Sequence, residues 1–303
     1  MLKNKVNISK KSHFTEQLPY AILLLPFVLL FFLFILLPIL SSVALSFFNF
    51  DMVSLPKFTG FNNYVRMFLD DTIFITTLKN TLLLALLTGP AGFLLSFVLA
   101  WFINEFSPMV RTILSFMFYC PALIGNAYYI WQVLFSNDRY GYANSFLLSM
   151  NLITEPISWL KAPEYIIPII VIIQLWMSMG VSFLANISGL QNINDEMYEA
   201  GAIDGIRSRW QELWYITLPA MKHMLLFSAV MQIASSFSIG AICVTMCGYP
   251  SVNYTADTLV TYISDVGTVK YEMGYACAIS VFLFLLLIVT RHLIGKILER
   301  VGK

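Results

Sequence analysis

Two pairs of polar side chains stand out in a sequence that is otherwise mostly apolar. Gln174 and Ser178 are four residues apart, as are Gln232 and Ser236, so on a helix each pair points one way. Amides and hydroxyls both donate and accept hydrogen bonds. That chemistry suits an uncharged, hydroxyl-rich solute, and it equally suits gluing helices together inside a membrane. A second polar concentration, "YEAGAIDGIRSRWQELWYITLP", covers 198–219. Asp195 and Glu196 just before it, with Glu199 and Asp204 within it, make its first helix acidic, and Ala200 and Gly201 leave that helix with almost no side-chain bulk, which invites close approach by another protein backbone. Catalysis finds little support. His13, His223 and His292 fall at the ends of apolar runs, and no Ser/His/Asp set or carboxylate pair lies within one. Cys243 and Cys247 share a helix face but have no His or carboxylate in the same turn. They read as small hydrophobes, as do Cys120 and Cys277.

The elements that must position these groups are membrane helices. Of 303 residues 58% are hydrophobic and only 12% charged, against about a quarter charged in soluble domains. A net charge of +1 argues against a nucleic-acid partner. Six apolar segments are long enough to span a bilayer, at approximately 18–48, 73–103, 109–136, 166–190, 219–247 and 273–291. Backbone polar groups in lipid must be satisfied within the segment, so each is expected to be helical. The first run is too long for a signal peptide and has no A-x-A site. The expected fold is therefore all-α, a single six-span domain over 18–298, with cytoplasmic segments at 1–17 and 299–303. Lysines and arginines collect in cytoplasmic loops. Placing both termini inside puts twelve of them on the inner side and six on the outer, and makes the polar region 191–219 a cytoplasmic loop between spans four and five.

Within that loop Asn194 is positioned to cap a helix whose first turn carries Asp195 and Glu196, with Gly205 as its stop. A second short helix is expected from Ile206 to Tyr215, before Pro219 opens span five. Lipid anchors of this kind usually carry a Lys/Arg-rich polar face. An acidic helix suits a protein socket better.

At these residues a family resemblance becomes specific. "EAGAIDG" followed by "ITLP" resembles the EAA loop of permease subunits of bacterial ABC importers: Glu-Ala-Ala, three residues, Gly, nine residues, Ile, one residue, Leu-Pro. "IDG" with "RWQ" is similar to the carbohydrate-uptake branch, the maltose permease relatives. Gly201 departs from the second alanine, and ten residues rather than nine separate Gly205 from Ile216. Weaker matches extend over most of the chain: "FTGFNNYVRMF" with "KNT", "YGYANSFL" and "MGYACAIS".

The resemblance implies that Glu199, Ala200, Gly201, Asp204 and Gly205 form a coupling helix seated on an ATP-hydrolysing partner. It also implies a second homologous permease, a dimeric ABC ATPase, an extracytoplasmic sugar-binding protein and a bacterial cell membrane location. The chain has no G-x-x-x-x-G-K-[ST] loop, so no cofactor is expected in it, and ATP and Mg would be bound by the ATPase. The resemblance further places Gln174, Ser178, Gln232 and Ser236 where the sugar-contacting maltose permease subunit lines its cavity. Two other readings stand beside sugar import: uptake of another small polar solute of glycerol-phosphate type, and a non-transport membrane docking or assembly protein.

Overall fold

The computed structural model describes residues 10–298. Lys3, Lys5, Arg300 and Lys303, the expected tail 299–303 and the start of the expected segment 1–17 lie outside the described residues. Among those described the fold is helical, apart from a two-residue antiparallel pair, Phe48–Asn49 with Lys57–Phe58.

Four helices are long and apolar enough to cross a membrane: Ile22–Leu45, Thr72–Asn104, Lys222–Cys247 and Met273–Ile297. A bent pair of apolar helices, Pro163–Met177 and Val181–Gln191, meets at 43° and makes a fifth candidate when its halves are counted as one span. The uninterrupted helix expected over 109–136 is not formed. Pro108–Ile124 ends at Gly125, whose φ of 71° is left-handed, and the chain resumes as the short helix Tyr129–Leu134. Continuous hydropathy concealed both breaks, because irregular backbone at membrane depth is tolerated wherever protein or a cavity surrounds it.

The helix Thr72–Asn104 is the central pillar, and three apolar clusters are strung along it. At its start, Met67 and Phe74 pack with Leu259, Tyr262, Val266, Tyr275 and Ile279. Midway, Leu84 meets the Ile166–Ile173 face and Ile239 and Ile242. Toward its end, Phe97, Ala100 and Ile103 pack with Phe183, Leu190, Leu213, Met221 and Leu225. The first crossing behaves differently. Its apolar stretch has none of its residues buried within this chain.

The pillar's start is tied down by hydrogen bonds and charge. Asp71 caps the helix by accepting from Phe74 N–H at 2.9 Å, and its other oxygen accepts from Tyr262 and Tyr275 hydroxyls at 2.5 and 2.6 Å. Asn80 donates to the carbonyls of Tyr254 and Asp257, and Thr81 accepts from Leu259 N–H. Arg66 bridges to Glu272 at 2.8 Å and lies over the Tyr275 ring. Burial alone would raise the Asp71 pKa. The two tyrosines, the Phe74 amide and Arg66 outweigh it and hold the carboxyl below its ordinary range.

Candidate functional site

The breaks in the crossings converge on a cavity of about 340 Å³. Its wall includes Ala122 just before Gly125, Ser178, Gly180 and Ser182 at the bend of the broken pair, and Gln232, Ser235 and Ser238 where Lys222–Phe237 gives way to Gly240–Cys247. A Cβ on Gly180 would stand 3.2 Å from that of Ala122, so the two interrupted helical segments touch closely here. Four serines and one glutamine belong to a lining that is otherwise apolar.

Of the four expected pathway residues, Ser178 and Gln232 line this cavity. Gln232 and Ser236 also border an apolar groove beside Gly89 and Pro90. All four are buried within the chain's own packing, and their polar atoms are engaged. Gln174 donates to Ser235 carbonyl and hydroxyl oxygens at 3.2 and 3.0 Å. Gln232 accepts from Ser182 Oγ at 3.1 Å and donates to Thr88 carbonyl at 3.4 Å. Ser178 and Ser236 donate to Leu175 and Ile233 carbonyls within their own helices. Span two accommodates them with glycine: a Cβ on Gly92 would overlap Gln232 Nε2 and press Ser178 Oγ, and one on Gly89 would touch Ser236. The arrangement joins helices through small and polar residues, and the cavity opens beside it. Sequence reasoning missed Ser182, Ser235 and Ser238. Ser182 follows Ser178 by one helical step and Ser235 and Ser238 flank Ser236, but the helix breaks hide which of them share a face. The clustering of serine beside both glutamine-serine pairs was the available signal.

The polar loop 191–219 is built as two packed layers. Asn194 accepts from Glu196 N–H at 3.2 Å and caps the helix Asp195–Ile203. The helix closes with Ile206 N–H donating to Gly201 carbonyl and Gly205 N–H to Ala202 carbonyl, with Gly205 at φ 95°. This is a Schellman closure, in which glycine takes the left-handed position. The second helix begins later than expected: Ser208 and Gln211 form a capping box for Arg209–Glu212, and Leu213–Thr217 continues as a π turn. A π turn carries one more residue than an α turn, so this turn and the 206–208 loop are both able to absorb the extra residue before Ile216. Pro219 sits in the short helix Leu218–Ala220, and Lys222 starts the long one.

Gly201 faces inward, which corrects the expectation that it leaves room for a partner. A Cβ there would stand 2.6 Å from Ile216 Cδ1 and 3.2 Å from Ile206 Cδ1. Tyr198 on the same side hydrogen-bonds Thr217 at 3.0 Å. Glu199, Ala200, Asp204 and Gly205 are exposed, and Ile203 is 88% exposed. The outward face is therefore acidic with an apolar centre.

A clasp holds the loop to the pillar. Arg209 bridges Glu105 at 2.7 Å and Glu212 at 2.9 Å, and Trp210 packs at a tilt against Trp101 with ring centroids 5.6 Å apart. The Glu212 hydrogen bond, with the attraction of Glu105, keeps the Arg209 guanidinium above its ordinary range against partial desolvation. The pair is open to water, so Arg209→Ala is expected to destabilise the fold by only about 1 kcal/mol or less, read as a small drop in the thermal-unfolding midpoint in detergent.

No protein-family model matches the chain. It is 30% identical over 266 residues to the arabinooligosaccharides transport system permease protein AraP of Bacillus subtilis (strain 168), covering 87% of this chain and 83% of that one. The chain belongs to the permease subunits of sugar ABC transport systems. This permease is also 31% identical over 278 residues to the sulfoquinovosyl glycerol transport system permease protein SmoG of Agrobacterium fabrum (strain C58 / ATCC 33970), covering 89% and 87% of the two chains. Among solved structures it superposes on a bacterial ABC transporter involved in import of the acidic polysaccharide alginate, with a TM-score of 0.75, 25% identity and coverage of 97% and 99%. The bacterial alginate ABC transporter in complex with an alginate pentasaccharide-bound periplasmic protein gives 0.77 at the same identity. The permease is thus an integral membrane transport component.

Proposed function

We propose that this permease carries a neutral sugar or oligosaccharide through the cavity at Ser178, Ser182, Gln232, Ser235 and Ser238. The observation that carries this reading is the meeting of broken helices around a hydroxyl-lined, uncharged space. Discontinuous helices of this kind build solute sites near the bilayer midplane in many transporters. A charged solute would call for ionisable groups there, and the lining has none.

In the same reading Pro108–Leu134 makes a sixth crossing, both termini are cytoplasmic, and Asp195–Ile203 seats on one subunit of a dimeric ATPase. The ATPase binds the nucleotide and Mg. A second permease completes the pathway and covers the apolar first crossing, and an extracytoplasmic sugar-binding protein delivers the solute, as the complex of the alginate transporter with its periplasmic protein suggests by analogy. Closure of the ATPases pushes the docked helix, and the clasp and the π turn pass the push to spans two and five.

The test is ATP hydrolysis by the complete transporter offered arabinotriose, lactose or glycerol 3-phosphate with the binding protein present. Stimulation by a neutral saccharide is expected. Stimulation by glycerol 3-phosphate alone would overturn the assignment. In the same preparation Glu199→Lys is expected to reduce co-purification of the ATPase about tenfold, equivalent to about 1.4 kcal/mol of docking energy. Undiminished co-purification would remove Glu199 from the docking face.

A further inference from the structure

A second groove, of about 560 Å³, lies between the helices Gly240–Cys247 and Leu259–Val269 and takes no part in the cavity or the loop. Its floor is apolar, from Ala241, Val244 and Val260. Its polar side is made by Thr245, Tyr249, Ser264, Asp265 and Thr268. Asp265 is the central group. Its side chain is only 11% exposed, Lys270 holds one oxygen at 2.9 Å, and Tyr249 lines the groove beside it. Lys270 in turn lies over the Tyr262 ring, 5.1 Å from its centroid, so the carboxylate is fixed in place.

We infer that this groove is an outer binding site for an uncharged sugar unit, upstream of the midplane cavity. The inference rests on the importer reading and adds a station to it. A sugar ring presents a C–H face and an edge of hydroxyls. The apolar floor and the Tyr249 ring match the first, and a held carboxylate with surrounding hydroxyls matches the second, through charge-assisted hydrogen bonds. The carboxylate also disfavours acidic sugars, because like charges in a partly desolvated site repel.

The groove's position supports a relay. Ala234 and Ser238 line the midplane cavity, and Ala241 and Thr245 line the groove. Ala234 and Ser238 lie at and just past the end of one helix and Ala241 and Thr245 four residues apart in the next, so the lining passes from cavity to groove across the break at Ser238. A solute leaving the groove therefore follows a surface already lined for it.

A cysteine at the apolar rim reports occupancy. In the complete transporter reconstituted in lipid nanodiscs, Val269→Cys is modified with a membrane-impermeant methanethiosulfonate, with the unsubstituted chain as background. Arabinotriose or lactose at about twice its dissociation constant is expected to slow modification about threefold by occupancy alone. A trisaccharide of alginate, being acidic, is expected to give no protection. Asp265→Asn, and independently Tyr249→Phe, is expected to abolish protection by the neutral sugars. Import of a neutral saccharide with no protection at position 269 overturns the outer site and leaves the importer reading standing. Equal protection by the acidic trisaccharide, or protection that survives both substitutions, also overturns the site. A transporter that imports the acidic trisaccharide and neither neutral saccharide overturns the neutral-sugar reading and the site with it.

Discussion

Gly201→Leu is expected to abolish most uptake while leaving the permease in the membrane at normal abundance. The new side chain would enter space already held by Ile216 and Ile206, since even a Cβ would stand 2.6 Å from Ile216 Cδ1. Overpacking of this kind costs about 1–3 kcal/mol. The Asp195–Ile203 helix is a surface element, so the strain is relieved by tilting that helix off Leu213–Thr217 rather than by unfolding the bundle. A coupling loss of this size corresponds to a reduction of about 5- to 150-fold. The companion substitution decides the cause. Ile216→Ala removes the colliding atoms and is expected to restore much of the uptake to Gly201→Leu. It should do nothing for Ala200→Leu, whose side chain points outward. Saccharide uptake measured for the four variants, with ATPase co-purification alongside, checks this. Equal behaviour of the two leucine variants toward Ile216→Ala would return Gly201 to the partner-facing side.

Asp71→Ala is expected to cause the largest loss of stability among single substitutions outside the spans. Tyr262 and Tyr275 are each 2% exposed, and both hydroxyls end on this one carboxylate. Leaving a buried hydroxyl unpaired costs about 1–3 kcal/mol, and loss of the helix cap adds about 1 kcal/mol. The expected outcome is a lower midpoint of thermal unfolding in detergent. The carboxyl's folded pKa lies below its ordinary value of 3.8. Its stabilisation is therefore complete above that ordinary value and is lost as pH falls through the lower, folded one. Thermal midpoints measured across that acid range should fall for the native chain and change less for Asp71→Asn, whose side chain does not titrate. Parallel pH profiles for the two would remove Asp71 as the source.

Local features of the loop were legible in the sequence because their causes are local. Asn194 before two acidic residues and Gly205 after an apolar turn are cap and stop signals that need only neighbouring residues. The crossings were legible as regions, because apolar length is a sum along the chain. Their interruptions were not: the residues around Gly125 and Ser178–Gly180 are as apolar as those of a continuous helix, and what stabilises the breaks is the packing of three crossings against one another. Gly201 was legible as small but not as inward-facing, because the residue that fills the space above it arrives fifteen positions later, after a turn. Arg209 was counted toward orientation, and its partner Glu105 lies 104 positions away. Asp71 gave no signal at all, since a capping aspartate before a helix explains itself without distant tyrosines.

The bonds at the start of the pillar also set a timetable for biogenesis. Asp71 waits for Tyr262 and Tyr275, which follow it by 191 and 204 positions, and Asn80 and Thr81 wait for the 254–259 segment. A nascent chain adds about 5–20 residues each second. The second helix to enter the bilayer therefore spends roughly ten seconds or more beside the translocation machinery with its Asp71 end unfastened. Only synthesis of the 254–275 segment can lock it, so a chain that stops before Tyr254 should be inserted yet remain open to membrane proteases.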